Sequence, residues 1–134
     1  MTTRPPDESM LDKAIDLLVG AITLQEIGND HAALLLAIHS GINSADAISE
    51  FHGDPFSGEH RMAPEHLRRL DPARLSDAAR WLRQLIDMKA TVAYRQKRYT
   101  AHNTADAIVN ADRLMRIAHN HIESSIDIDV RLRS

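Results

Sequence analysis

The chain has 134 residues, a net charge of −3 and no cysteine; this leaves room for one domain with one core and excludes disulfides, thiolate metal ligands and thiol nucleophiles. Apolar residues make up 43% of it, but Phe51, Phe56, Trp81, Tyr94 and Tyr99 are its aromatic residues, so the core must be built from Leu, Ile, Val, Ala and Met. Charge is uneven: residues 1–60 carry 2 basic and 10 acidic groups and residues 61–134 carry 14 and 9, a split that suits an acidic helix pair beside a basic one and also a nucleic-acid-binding segment.

Residues 1–6, with Pro5 and Pro6, read as a disordered start. The first nine residues hold neither an apolar stretch nor a small-residue cleavage site, and the longest apolar run, Ala32 to Ile38, falls far short of the roughly 20 residues that span a bilayer. The expectation is a cytoplasmic chain with no membrane segment. A first helix begins near Asp7 and Glu8, whose charges suit a helix N-terminus, carries Leu11, Ile15, Leu18 and Ile22 at three- and four-residue steps, and stops at Gly28-Asn29. Asp30 is a candidate N-cap for the second helix, about His31 to Phe51, which combines an apolar face with the small set Ala37, Gly41 and Ala45. Between Phe51 and Gly58 the pattern breaks into the longest loop. A short helix over Met62 to Leu70 follows, with Pro64 in its first turn and Asp71-Pro72 as its end.

The third long helix opens at Ser76 or Asp77, carries Ala78, Trp81, Leu82, Leu85, Met88 and Val92, and runs to about Arg95 as the expected centre of the fold. After the basic junction Arg95 to Tyr99, Asn103 or Thr104 is expected to cap a fourth helix ending near Ile122. The tail, residues 124–134, alternates apolar and charged residues with the period of a strand, and is expected to be disordered, to lie over the bundle or to pair with its copy in a dimer. The reading is all-α: an antiparallel up-and-down bundle of four to five helices over residues 7–123.

No phosphate-binding Gly-rich loop, paired-histidine helix motif or nucleophile elbow is present, and His119 and His121, two residues apart on a helix, diverge. No metal site and no cofactor are expected. Two polar clusters remain. On the second helix His39, Asn43 and Asp46 share one side at steps of four and three. On the third, Asp87, Lys89 and Tyr94 continue into Arg95, Lys97 and Arg98, and antiparallel packing would let Asp46 or Asn43 meet Lys89 or Tyr94. A structural hydrogen-bond network accounts for these residues as well as a site does.

Taken in order, Ile38 to Ile48, Gly58-Glu59-His60 before a short helix, Leu82 to Tyr94, and Ala105-Asp106-Ala107 followed by Ala111 to Leu114 resemble the HEPN domains of bacteria and archaea, especially small actinobacterial members. The resemblance covers about His31 to His121. It implies a helical bundle that dimerises and, in active members, cuts RNA without a metal through an Arg, four to six residues and a His. One alignment puts Lys89 at the Arg position and Tyr94 at the His position; a second takes Arg95 and His102 and shifts the helix register. What the resemblance implies is an RNA-related role, as a metal-independent ribonuclease or a toxin–antitoxin component paired with an antitoxin. The alternative is a non-catalytic homodimer binding RNA, a nucleotide or a partner protein through a patch of Lys89, Tyr94, Arg95 and Arg98, with His39, Asn43 and Asp46 as further binding residues. A further option is modification of Tyr94 or Tyr99 by a partner nucleotidyltransferase.

Overall fold

Short polar joints set the helix boundaries. The computed structural model describes residues 5–95 and 101–133, with backbone alone over 90–95. It contains α1 (Pro6–Glu26), α2 (Asp30–Phe51), a 3-10 turn (His60–Met62), α3 (Ala63–Leu70), α4 (Pro72–Arg95), α5 (Ala101–His121) and α6 (Ile128–Arg133), and no strand among the described residues. Of the six residues expected to be disordered, Met1 to Arg4 lie outside the described set, whereas Pro6 already opens α1, where its missing N–H costs no hydrogen bond. The stop at Gly28 is as expected: the Gly28 N–H donates to Gln25 O (3.0 Å) and the Asn29 N–H to Leu24 O (2.9 Å), which caps the last carbonyls of α1.

Three boundaries differ from the sequence reading. The cap of α2 is Asn29, one residue before Asp30, with its Oδ1 accepting the Ala32 N–H at 3.3 Å. Asp71-Pro72 ends α3 and also starts α4, four residues before Ser76, because the Asp71 carboxylate and carbonyl accept the Arg74 N–H and the carbonyl accepts the Leu75 N–H. α5 begins at Ala101, ahead of both expected caps; Thr104 is fully buried, and its hydroxyl donates to Asp30 O at 3.2 Å.

The tail is a helix, not a strand. Six residues are too few for a two-residue period to exclude one, and Ile128 and Leu132, four apart, both face the core. Arg131 forks onto Asp12 and Asp16 of α1, and Asp127 Oδ1 accepts the Val130 N–H at 3.2 Å. The approach to α6 is held as well, since Ser124 Oγ donates to Glu8 Oε2 at 2.8 Å.

The four long helices form the expected up-and-down bundle, in which consecutive members run antiparallel. Ser40 of α2 donates to Ala14 O of α1 (2.7 Å), and Asn110 of α5 donates to Gln84 of α4 (2.8 Å). α2 and α5 run parallel, with Thr104 beside Asp30 at one end and His121 beside His52 at the other. The centre is α2, not α4: it packs against α1, α3, α4 and α5 and buries twelve of its 22 residues, whereas α4 and α1 share no contact among the described residues. No helix among the described residues is long and apolar enough to cross a membrane.

Small side chains let α2 take that position. A Cβ on Gly41 would lie 2.4 Å from Leu85 Cδ1 and 3.5 Å from Leu114 Cδ2, so α4 and α5 both close on α2 where it has no side chain. Nearby, the buried Ser44 hydroxyl has no hydrogen-bond partner among the described residues. Ser44→Ala is therefore expected to raise the unfolding free energy by about 1 kcal/mol, since it removes an unsatisfied buried group and adds helix propensity. A urea titration in which the variant is no more stable than the wild type would contradict this.

Candidate functional site

The exposed edge of α2 carries His39, Asn43 and Asp46 on one side, as their spacing predicts. The chain returns to that edge through the loop after α2. His66 of α3 holds the loop by a 2.8 Å bond between its Nε2 and Asp54 O, and Phe56 packs on the His66 ring with centroids 5.3 Å apart. Gly58 then turns at φ +136°, a conformation side chains resist, against the Phe56 ring. The 3-10 turn follows, closed by the Met62 N–H on Glu59 O at 2.9 Å.

This route brings His60 to α4. Lys89 Nζ lies 3.3 Å from His60 Nδ1, and because an ammonium has no acceptor, Nδ1 accepts and the Nε2–H of His60 remains a donor. Lys89 is partly buried, whereas His60 and His39 are exposed. Loss of water around its packed side lowers the pKa of His39 below the ordinary histidine value, and the nearby charges of Lys89, His60 and Lys13 lower it further. Burial raises the Asp46 carboxyl and Glu50 adds to the rise, against the opposing pull of His60 and Lys13. Lys89 of α4 and His60 of the 3-10 turn thus form one contact, and both bear electrostatically on His39 of α2, while His60 also bears on Asp46. Such a set binds anions and moves protons.

The sequence-predicted residues divide into groups. Lys89 bears electrostatically on His39, and Asp46 lies two helical turns further along the same side of α2. Across the helices Lys89 meets His60, the Asn43 amide donates to its own helix at His39 O (2.9 Å), and the expected pairing with Tyr94 lies outside the described residues. His102 stands in the first turn of α5 with 83% of its side chain exposed, 3.4 Å from Asp106. The side chains of Tyr94 and Arg95 and all of Lys97, Arg98 and Tyr99 lie outside the described residues. His60 is the residue that spacing did not predict, since 29 positions separate it from Lys89.

Two other polar places stand apart. His119 and His121 diverge as expected. His119 Nε2 reaches Ile126 O (2.7 Å), while His121 Nε2 lies 2.7 Å from His52 Nε2, with Phe51 edge-on to both rings. Burial, then Arg74 and His52, lower the pKa of His121 against a smaller opposing effect of Asp71. Between α4 and α5 an open groove of about 500 Å³ is lined by residues including Asp87, Met88, Asp106 and Arg113, the last also stacked over Trp81 at 5.5 Å. Among the described residues no group of three or more His, Asp or Glu is placed to hold a metal ion. No protein-family model matches the chain, and no curated protein matches it.

Proposed function

We propose that this is a HEPN-like protein that binds RNA through its phosphate backbone where the 3-10 turn meets α4, and cuts it without a metal. The observation that carries the reading is the pairing of Lys89 with His60, both of which bear electrostatically on His39. A fixed ammonium stabilises charge on a phosphate, neighbouring imidazoles transfer protons near neutral pH, and neither task needs a bound cation. The ordered motif parts quoted above and the basic balance of residues 61–134 favour a polyanion as ligand.

Binding without cleavage is the second reading, favoured by tyrosine standing at position 94, where the resemblance places the motif histidine. Both readings make Lys89 a phosphate contact. Lys89→Ala is expected to weaken binding of a labelled single-stranded RNA in fluorescence anisotropy and to reduce the slope of log affinity against log salt by about 0.7, the value for one lost phosphate contact on a single strand. An unchanged slope, or no RNA binding by the wild type at low salt, would remove RNA as the ligand.

A further inference from the structure

We propose that the cleft between α3 and α4 takes a second backbone phosphate of the RNA strand, with Arg80 and Arg83 as its ligands and Arg68 as the fixed wall opposite. This second contact rests on the RNA-binding reading above, and it lies outside the residues that the sequence motifs single out.

The cleft is a cavity of about 190 Å³ that opens to solvent. On α4, Ser76, Ala79, Arg80 and Arg83 recur at three- and four-residue steps and so line it from one helix face, while α3 contributes Pro64 and Arg68. Pro64 and Ala79 are buried and the three arginines are exposed, so a small apolar floor carries a basic rim. The volume is below the roughly 300–1,000 Å³ of pockets that enclose small organic ligands, which suits a phosphate group and excludes a whole nucleotide.

The three arginines are held differently. Glu65 accepts Arg68 through both of its oxygens at 3.0 and 2.6 Å and also accepts Arg69 at 3.3 Å, and these bonds, chiefly those from Arg68, hold its carboxyl down at about 2. Arg68 is therefore fixed and its charge is already answered. Arg80 reaches Asp77 at 3.4 Å in an exposed pair that water screens, and Arg83 has no hydrogen-bond or ion-pair partner among the described residues. The unanswered charge thus sits on two guanidinium groups three residues apart, whose planar N–H forks match phosphate oxygens.

The cleft and the Lys89 contact share their supports. The 3-10 turn that brings His60 to Lys89 runs directly into α3, and Lys89 follows Arg83 by six residues of α4, roughly 9 Å along the helix axis. A flexible single strand can reach both.

The test measures fluorescence anisotropy of a labelled single-stranded RNA across a salt series, using the full-length wild type and variants that circular dichroism shows to be folded. Arg80→Gln/Arg83→Gln is expected to reduce the slope of log affinity against log salt by about 0.7, the value for one phosphate, and adding Lys89→Ala is expected to bring the loss to about 1.4. Arg116→Gln removes an exposed arginine of α5, paired with Asp112 and outside the cleft, and is expected to leave the slope in place. An unchanged slope in the double arginine variant, or an equal change in Arg116→Gln, overturns the second contact and leaves the RNA-binding reading standing on Lys89→Ala. No further loss on adding Lys89→Ala also overturns it, because the two places would then hold one phosphate. Absence of RNA binding by the wild type at low salt overturns both.

Discussion

Gly41→Leu is expected to lower the unfolding free energy by about 3 kcal/mol, at the upper end of what overpacking a core costs. The first added carbon already falls 2.4 Å from Leu85 Cδ1, and Leu85 and Leu114 are themselves fully buried, so neither can swing into solvent to make room. Three more carbons would have to push α4 or α5 off α2. Helix propensity returns roughly 1 kcal/mol, which is too little to reverse the sign. Chemical denaturation measures the change. A variant within 0.5 kcal/mol of the wild type would show that α2 does not depend on a bare backbone at this point.

Leu114→Ala is expected to cost about 3 kcal/mol, within the range for emptying a fully buried leucine site. Its side chain closes the interface from the α5 side, 3.5 Å from where a Gly41 Cβ would stand. The two substitutions therefore compete for one volume, and the double variant Gly41→Leu/Leu114→Ala is expected to be more stable than the sum of the single losses allows. Strict additivity in the double-mutant cycle would mean that the two positions are not neighbours in solution.

Periodicity makes the four long helices legible, and the small set Ala37, Gly41 and Ala45 is the sequence trace of the close packing on α2. What the sequence obscured has physical causes. Asp71-Pro72 reads as a stop because proline ends helices, but proline also begins them, and one aspartate serves both purposes here. The alternation of Ile126 to Arg133 imitates a strand only while the tail is considered without α1, whose Asp12 and Asp16 fix Arg131. α4, with Trp81 and its long apolar series, looked like the centre, whereas burial on several sides belongs to α2, whose small residues carry less hydrophobic signal. His39, Asp46 and Lys89 are legible as polar positions on helices. His60 is not, since a loop and a 3-10 turn deliver it and no helical period connects them to Lys89.

At the shared end of α2 and α5 the Nε2 atoms of His52 and His121 lie 2.7 Å apart. Two neutral rings, or one neutral and one charged, can share a hydrogen between their Nε2 atoms; two charged rings have donors on both sides and no acceptor. His121 also resists its proton in the folded chain, so the unfolded chain takes it up first as pH falls below about 6.5, the free histidine value. The stability this residue confers is complete above that pH and is lost as the solution turns acid. The loop that leaves α2 at His52 is the one that delivers His60 to Lys89.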